Sequence, residues 1–241
     1  SLVTAGLQTV GIRIPDHPVA LQLLREAGLP IAAPSANSSG RPSPTLASHV
    51  RDDLEGRIGG IVDGGATGVG VESTVIQLVD GEIHVLRPGG VTAEQLQAVL
   101  PNSSIHVAEP TEVAAADTPR APGMKYAHYA PKGYMHIVQG EDSREVSAWI
   151  QRDIDAAKSR GESTGILTFE ERVRGYRADL VLACGSLSQP ETIARELYAA
   201  LRTFDHQSIS YIVAEGVPDT GIGRAIMNRL LKAAGHEQIR L

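Results

Sequence analysis

From residue 135 to residue 234 short apolar runs alternate with longer stretches of helical period, and no other feature limits so strongly what this chain can fold into. Runs at 135–138, 164–168, 180–183 and 209–214 read as strands, and 143–159, 190–203 and 223–234 read as helices. Strands that alternate with helices pair mostly in parallel, with helices lying on the faces of the sheet.

The first hundred residues carry a less regular version of the same pattern. Residues 7–14 alternate apolar and polar until Pro15 and Asp16 stop them, which predicts a strand ending near Arg13. A helix over 18–27 follows, capped by Asp16 and closed by Gly28, then a strand over 30–33 and a short helix over 45–54 capped near Ser43 or Thr45. Residues 59–63 read as a strand. Two more, at 73–79 and 83–86, are joined across Asp80-Gly81, a tight-hairpin dipeptide, and a helix capped by Thr92 covers 92–100. Between Pro101 and Pro131 the periodicity dissolves, as in a linker. The expected organisation is a first α/β domain over 1–103, a linker over 104–134 and a second, smaller α/β domain over 135–241. The chain opens on a half-strand at Ser1, and a mixed sheet covered on both faces needs more than a hundred residues, so further sequence upstream is expected.

Aromatic residues make up 4% of the chain, so the cores are built from Leu, Ile, Val and Ala and each Tyr calls for a specific explanation. The single cysteine, Cys184, excludes an internal disulfide and a cysteine-rich zinc site, and fits a reducing cytoplasm. No apolar run reaches membrane-spanning length, and the first residues lack the order of a secretory signal, so the expected protein is soluble, without membrane association. A net charge of −6 argues against indiscriminate coating of nucleic acid but leaves a local basic patch open.

Four segments carry the chemistry: Pro34-Ser35-Ala36-Asn37 running on to Ser43-Pro44-Thr45, Glu72-Ser73-Thr74-Val75, Arg87-Pro88-Gly89-Gly90, and Pro122-Gly123-Met124-Lys125-Tyr126-Ala127-His128-Tyr129-Ala130-Pro131. The first three place small hydroxyls, an amide and a guanidinium directly after apolar runs, where an α/β sheet presents polar groups to an anionic ligand. Tyr126, His128 and Tyr129 have no core of their own, which points to a strap folding back over a pocket. The loop from Gly64 to Gly70 reads either as an anion nest or, more simply, as a surface turn, and Gly221-Ile222-Gly223 either as half a dinucleotide fingerprint or as a close-packed turn. No second ligand stands at metal spacing from His128, so no protein metal site is expected.

Together these segments, with Thr9 to Pro15 and Gly221 to Leu230, resemble the YrdC-type threonylcarbamoyl-AMP synthases in their longer two-domain form. The resemblance implies the C-terminal part of a YrdC-like twisted α/β sheet domain, a long linker, and a smaller Rossmann-like, mostly parallel α/β domain. The family's Lys-x-Arg segment and the strands before it have no counterpart here. The implied reaction converts L-threonine, bicarbonate and ATP into threonylcarbamoyl-adenylate and pyrophosphate, for N6-threonylcarbamoyladenosine in tRNA, with Mg2+ arriving on the nucleotide. By the same resemblance Arg13, Ala33 and Ser73 take threonine, while Thr9, Ser35, Asn37, Ser43, Arg87 and Tyr129 take ATP. No general base stands out, and tRNA and a tRNA-modification transferase complex are the implied macromolecular partners. Three other functions are weighed. A hydrogenase-maturation carbamoyltransferase would bring cysteine-rich zinc motifs, which one cysteine cannot supply. A non-catalytic RNA-binding module leaves the tyrosine strap unexplained, and an inactive fragment of the synthase is the third.

Overall fold

A computed structural model describes residues 4, 6–107 and 129–241. The N-terminal half holds α1 (Pro18–Ala27), α2 (Ala47–Leu54), β1 (Val75–Val79), β2 (Glu82–Arg87), α3 (Ala93–Val99) and β3 (Ile105–Val107). The C-terminal half holds β4 (Tyr134–Gln139), α4 (Ser143–Ser159), β5 (Thr164–Thr168), a 3-10 turn at Val173–Gly175, β6 (Leu180–Ala183), α5 (Pro190–His206), β7 (Tyr211–Glu215), α6 (Ile222–Ala233) and β8 (Gln238–Arg240).

The C-terminal strands form one five-stranded sheet in the order β6-β5-β7-β4-β8, and each pairing in it is parallel. Strand alternation divides the two faces. Val138, Ile166 and Val213 pack against Val146, Ile150 and Ile154 of α4. Ile137, Leu167, Ile212 and Ala214 pack on the other face against the buried sides of α5 and α6. Cys184, just past β6, is buried in that second core, where its thiol donates to the Ile193 carbonyl at 3.5 Å. Gly223 opens α6 as a close-packed turn, because a side-chain carbon there would lie 2.1 Å from the Pro218 carbonyl oxygen.

The N-terminal sheet has three strands in the order β1-β2-β3, with β1 antiparallel and β3 parallel to β2. The β1–β2 hairpin turns at Asp80 and Gly81, both at positive φ. Helix α3 begins with a full capping box, in which Thr92 accepts from the Gln95 N–H and the Gln95 side chain accepts from the Thr92 N–H. The sheet runs past residue 103, since β3 lies inside the stretch expected as linker. Residues 7–14, 30–33 and 59–63 form no strand, because none of them has a neighbouring strand among the described residues to complete a hydrogen-bonded ladder. Their apolar side chains stay on the surface, with Ile12 and Ile14 about 85% exposed. Helix α2 is preceded by Leu46, with no side-chain cap from Ser43 or Thr45.

The two halves meet on α5. Val71 and Tyr129 join the core formed by α5 and α6. At Gly70 the backbone (φ 82°) runs so close to α5 that a Cβ would stand 2.3 Å from the Arg195 Cα. This glycine serves helix contact, while the preceding residues 64–68 are an exposed turn. Gly70→Ala is expected to cost about 1–3 kcal/mol through collision with the helix backbone and an unfavourable φ. Gly68→Ala, with open space around its added carbon, should be near neutral. Urea denaturation of both variants checks this, and equal stabilities would contradict the contact.

Candidate active site at the junction of the two halves

The Glu72-Ser73-Thr74 segment enters β1 and Arg87-Pro88-Gly89-Gly90 leaves β2, so hairpin pairing brings both motifs to the same end of the sheet. Val75 stands opposite Arg87, with a register shift immediately after it. Gly89 lies against the first motif's backbone; a Cβ there would meet the Glu72 carbonyl oxygen and the Thr74 nitrogen at 2.3 Å each. Only glycine tolerates this approach. Arg87, itself buried, donates from Nη2 to the Ser73 carbonyl at 2.7 Å. The Thr74 hydroxyl donates to the Val91 carbonyl and accepts from its N–H.

The Glu72 carboxylate turns inward and becomes the centre of a buried network. Oε1 accepts from the Ser43 hydroxyl at 2.7 Å, and the Tyr198 hydroxyl of α5 approaches both oxygens at 2.8 and 3.0 Å. Arg229 of α6, fully buried, donates from Nε to Oε2 at 2.9 Å and from Nη1 to the Pro88 carbonyl at 2.5 Å. The Tyr129 ring packs on Tyr198 with centroids 5.0 Å apart, and its backbone holds a φ of 72°. Burial alone would raise the Glu72 pKa, but the Arg229 charge and the hydrogen bonds from Ser43 and Tyr198 outweigh it and hold the carboxyl at about 2. Burial and the same carboxylate push the phenols of Tyr129 and Tyr198 upward. Lys232, one helical turn beyond Arg229, is lowered to about 8 by burial and by the charges of Arg229 and Arg87. Among the described residues Arg87, Arg229 and Lys232 thus gather around the Glu72 carboxylate, and the junction is cationic in character.

A second buried pair braces the loop between Pro34 and Thr45. Arg202 of α5 donates from Nη2 to Asp53 at 2.7 Å and to the Pro42 carbonyl at 2.6 Å, while Arg41 reaches Asp53 from the other side. Burial raises the Asp53 pKa, yet the Arg202 hydrogen bond and the two guanidinium charges bring it below its ordinary value. His49, lowered chiefly by burial, accepts at Nδ1 from the Thr45 N–H at 3.2 Å. Beside this loop lies a 160 Å³ cavity whose walls include Pro44, Thr45, Ile61, Gly64 and Thr67. Among the described residues no group of three or more His, Cys, Asp or Glu could hold a metal ion.

Of the residues expected to bind ligand, Ser43, Arg87 and Tyr129 come together around Glu72, and Ser73, exposed, joins them through its backbone carbonyl, which accepts from Arg87. Asn37 lies in the braced loop, its amide donating to the Ser38 and Arg41 carbonyls. Arg13 and Ala33 meet each other on the surface, Nη2 to carbonyl at 3.4 Å. Thr9 and Ser35 are exposed and take no part in the network. Tyr126 and His128 lie outside the described residues. Sequence reasoning did not find Glu72, Tyr198, Arg229, Lys232, Asp53 or Arg202 as site residues. A signal existed: Arg229 interrupts the apolar stripe formed by Ile222, Ile226, Leu230 and Ala233 of α6, and a charge on a buried stripe demands a partner.

Residues 91–235 match the family described as threonylcarbamoyl-AMP synthase, C-terminal domain, and residues 1–89 match the Sua5/YciO/YrdC family described as telomere recombination. The chain belongs to the threonylcarbamoyl-AMP synthase family. It is 54% identical to the Bacillus subtilis threonylcarbamoyl-AMP synthase over 99% of its own length and 66% of the relative's. It is 43% identical to the Pyrococcus abyssi enzyme of the same name, covering all of this chain and 68% of that one. The crystal structure of P. abyssi Sua5 complexed with L-threonine superposes with a TM-score of 0.89 at 43% identity, again over the whole chain and 68% of the neighbour. The chain therefore spans about two thirds of the length of these family members.

Proposed function

We propose that this chain forms part of an L-threonylcarbamoyladenylate synthase and supplies threonine and nucleotide contacts to it. The observation that carries the proposal is the gathering of Ser43, Ser73, Arg87 and Tyr129 at one cationic junction, in a chain so similar to proteins of that name. In the reaction the threonine amine captures bicarbonate as a carbamate, with loss of water. A carbamate oxygen then attacks the α-phosphorus of ATP, and pyrophosphate leaves. Two anions must be held side by side, so most of the acceleration comes from positioning and from fixed positive charge.

In this assignment Arg13 pairs with the threonine carboxylate as a bidentate guanidinium, with the Ala33 backbone and Ser73 completing that pocket. Thr9, Ser35, Asn37, Ser43 and Arg87 face ATP, and Tyr129 closes over it. Among the described residues the carboxylate of the cluster, Glu72, is already engaged by Ser43, Tyr198 and Arg229, so the cluster suits phosphate oxygens better than a metal, and Mg2+ enters as part of the nucleotide complex. We further assign the first half to a YrdC-like domain, the second to a Rossmann-like domain, and the product to tRNA modification in the cytoplasm. Among the described residues no helix is long and apolar enough to cross a membrane.

Pyrophosphate release, measured on this chain and on a protein of the relatives' full length, tests the proposal. Release that depends on both threonine and bicarbonate is expected from the longer protein, with the adenylate identified by mass. RNA binding without such release would favour the non-catalytic module, and neither activity in either protein would leave an inert scaffold.

A further inference from the structure

We infer that Tyr198 and Arg229 are positioning residues for the proposed reaction, acting on Ser43, Ser73 and Arg87 through the Glu72 carboxylate, an inference that rests on the synthase proposal. They lie 126 and 157 residues from Glu72, on helices α5 and α6 of the C-terminal half, and neither is among the residues assigned to threonine or ATP.

Arg229 acts as a bracket across two motifs. Its Nε holds the Glu72 side chain and its Nη1 holds the Pro88 carbonyl, so one guanidinium sets the spacing between Glu72-Ser73-Thr74 and Arg87-Pro88-Gly89. Arg87 closes the ring by donating to the Ser73 carbonyl. Tyr198 controls the other side. Its hydroxyl occupies both carboxylate oxygens and leaves Oε1 shared with Ser43, which fixes where the Ser43 hydroxyl points. Removing the Tyr198 hydroxyl leaves the carboxylate held on Oε2 by Arg229 alone, so Oε1 can pivot about that bond, and Ser43 turns with it. The C-terminal half is thus part of the site's geometry.

Tyr198→Phe removes that hydroxyl and keeps the ring against Tyr129. In the full-length protein, kcat/KM for ATP is expected to fall about tenfold or more, mainly through KM, while Tm changes little. In a Ser43→Ala background the same substitution should cost less than about threefold, because the group it positions is already gone. Arg229→Lys keeps a charge beside Glu72 but cannot also reach Pro88, and should fall between wild type and Arg229→Ala. Wild-type kcat/KM in Tyr198→Phe, or full multiplication of the Tyr198→Phe and Ser43→Ala effects, would overturn the inference. Should Tyr198→Phe fail to fold, the Arg229→Lys result decides in the same way, with unchanged kcat/KM overturning it. A wild-type protein with no threonine-dependent pyrophosphate release would sink the synthase proposal itself, and this inference with it.

Discussion

Arg229→Ala is expected to cost about 3–5 kcal/mol of stability, because it leaves the Glu72 carboxylate buried without its charge partner. The effect should show as a lower urea midpoint, and pairing the variant with Glu72→Gln should recover much of the loss by removing the orphaned charge. The acid limb of stability supplies an independent check. Glu72 has an ordinary value of 4.5 and is held at about 2 in the folded protein. A carboxyl depressed by folding stabilises the protein fully above its unfolded value, and that contribution, roughly 3 kcal/mol, drains away as pH falls from about 4.5 to 2. Wild type should lose stability across that window, and Arg229→Ala should lose much less. Parallel acid curves for the two proteins would mean that Glu72 is not held by Arg229.

Arg13→Ala should lower kcat/KM for threonine by about 30-fold to several thousand-fold, equivalent to about 2–5 kcal/mol for a carboxylate left without its guanidinium in a desolvated site. The KM for ATP should change far less. Arg13 is exposed and its one side-chain hydrogen bond among the described residues, to the Ala33 carbonyl, is long at 3.4 Å, so the substitution should leave stability nearly untouched. This separation of catalysis from folding makes Arg13 informative. Equal losses for both substrates in steady-state kinetics would remove it from the threonine pocket.

How much of this was legible beforehand depends on whether the deciding contact was local. The helices over 18–27, 143–159 and 190–203, the last of which runs on to His206, follow from their own period and punctuation, and the hairpin at Asp80-Gly81 follows from its turn chemistry. The C-terminal parallel sheet follows from alternation of strand and helix. Residues 7–14, 30–33 and 59–63 have strand composition, but a strand is a property of a pair, and no partner stands beside them among the described residues. β3 escaped notice for the opposite reason: the three residues Ile105–Val107 carry too short a pattern to read, and pairing with β2 makes them a strand.

The site divides along the same line. Ser43, Ser73, Arg87 and Tyr129 announce themselves through short motifs. The groups that hold them in place, Tyr198, Arg202 and Arg229, are spread over two helices far downstream, where only their presence on buried helical faces hints at a task. Glu72 was visible as part of a motif, but its role was not, since a carboxylate in a cationic pocket gains its meaning from partners that fold brings in.

Cys184 gives the chain a built-in clock. It is the only sulfhydryl in the sequence, it lies 1% exposed under the first turns of α5, and burial raises its thiol above the ordinary range. A bulky disulfide reagent can reach it only when α5 lifts away, so the rate of its modification against denaturant measures the free energy of that one motion. Because α5 also carries Tyr198 and Arg202, a single sulfur reports, without an added label or a competing background, how often the helix that holds the site leaves its own sheet.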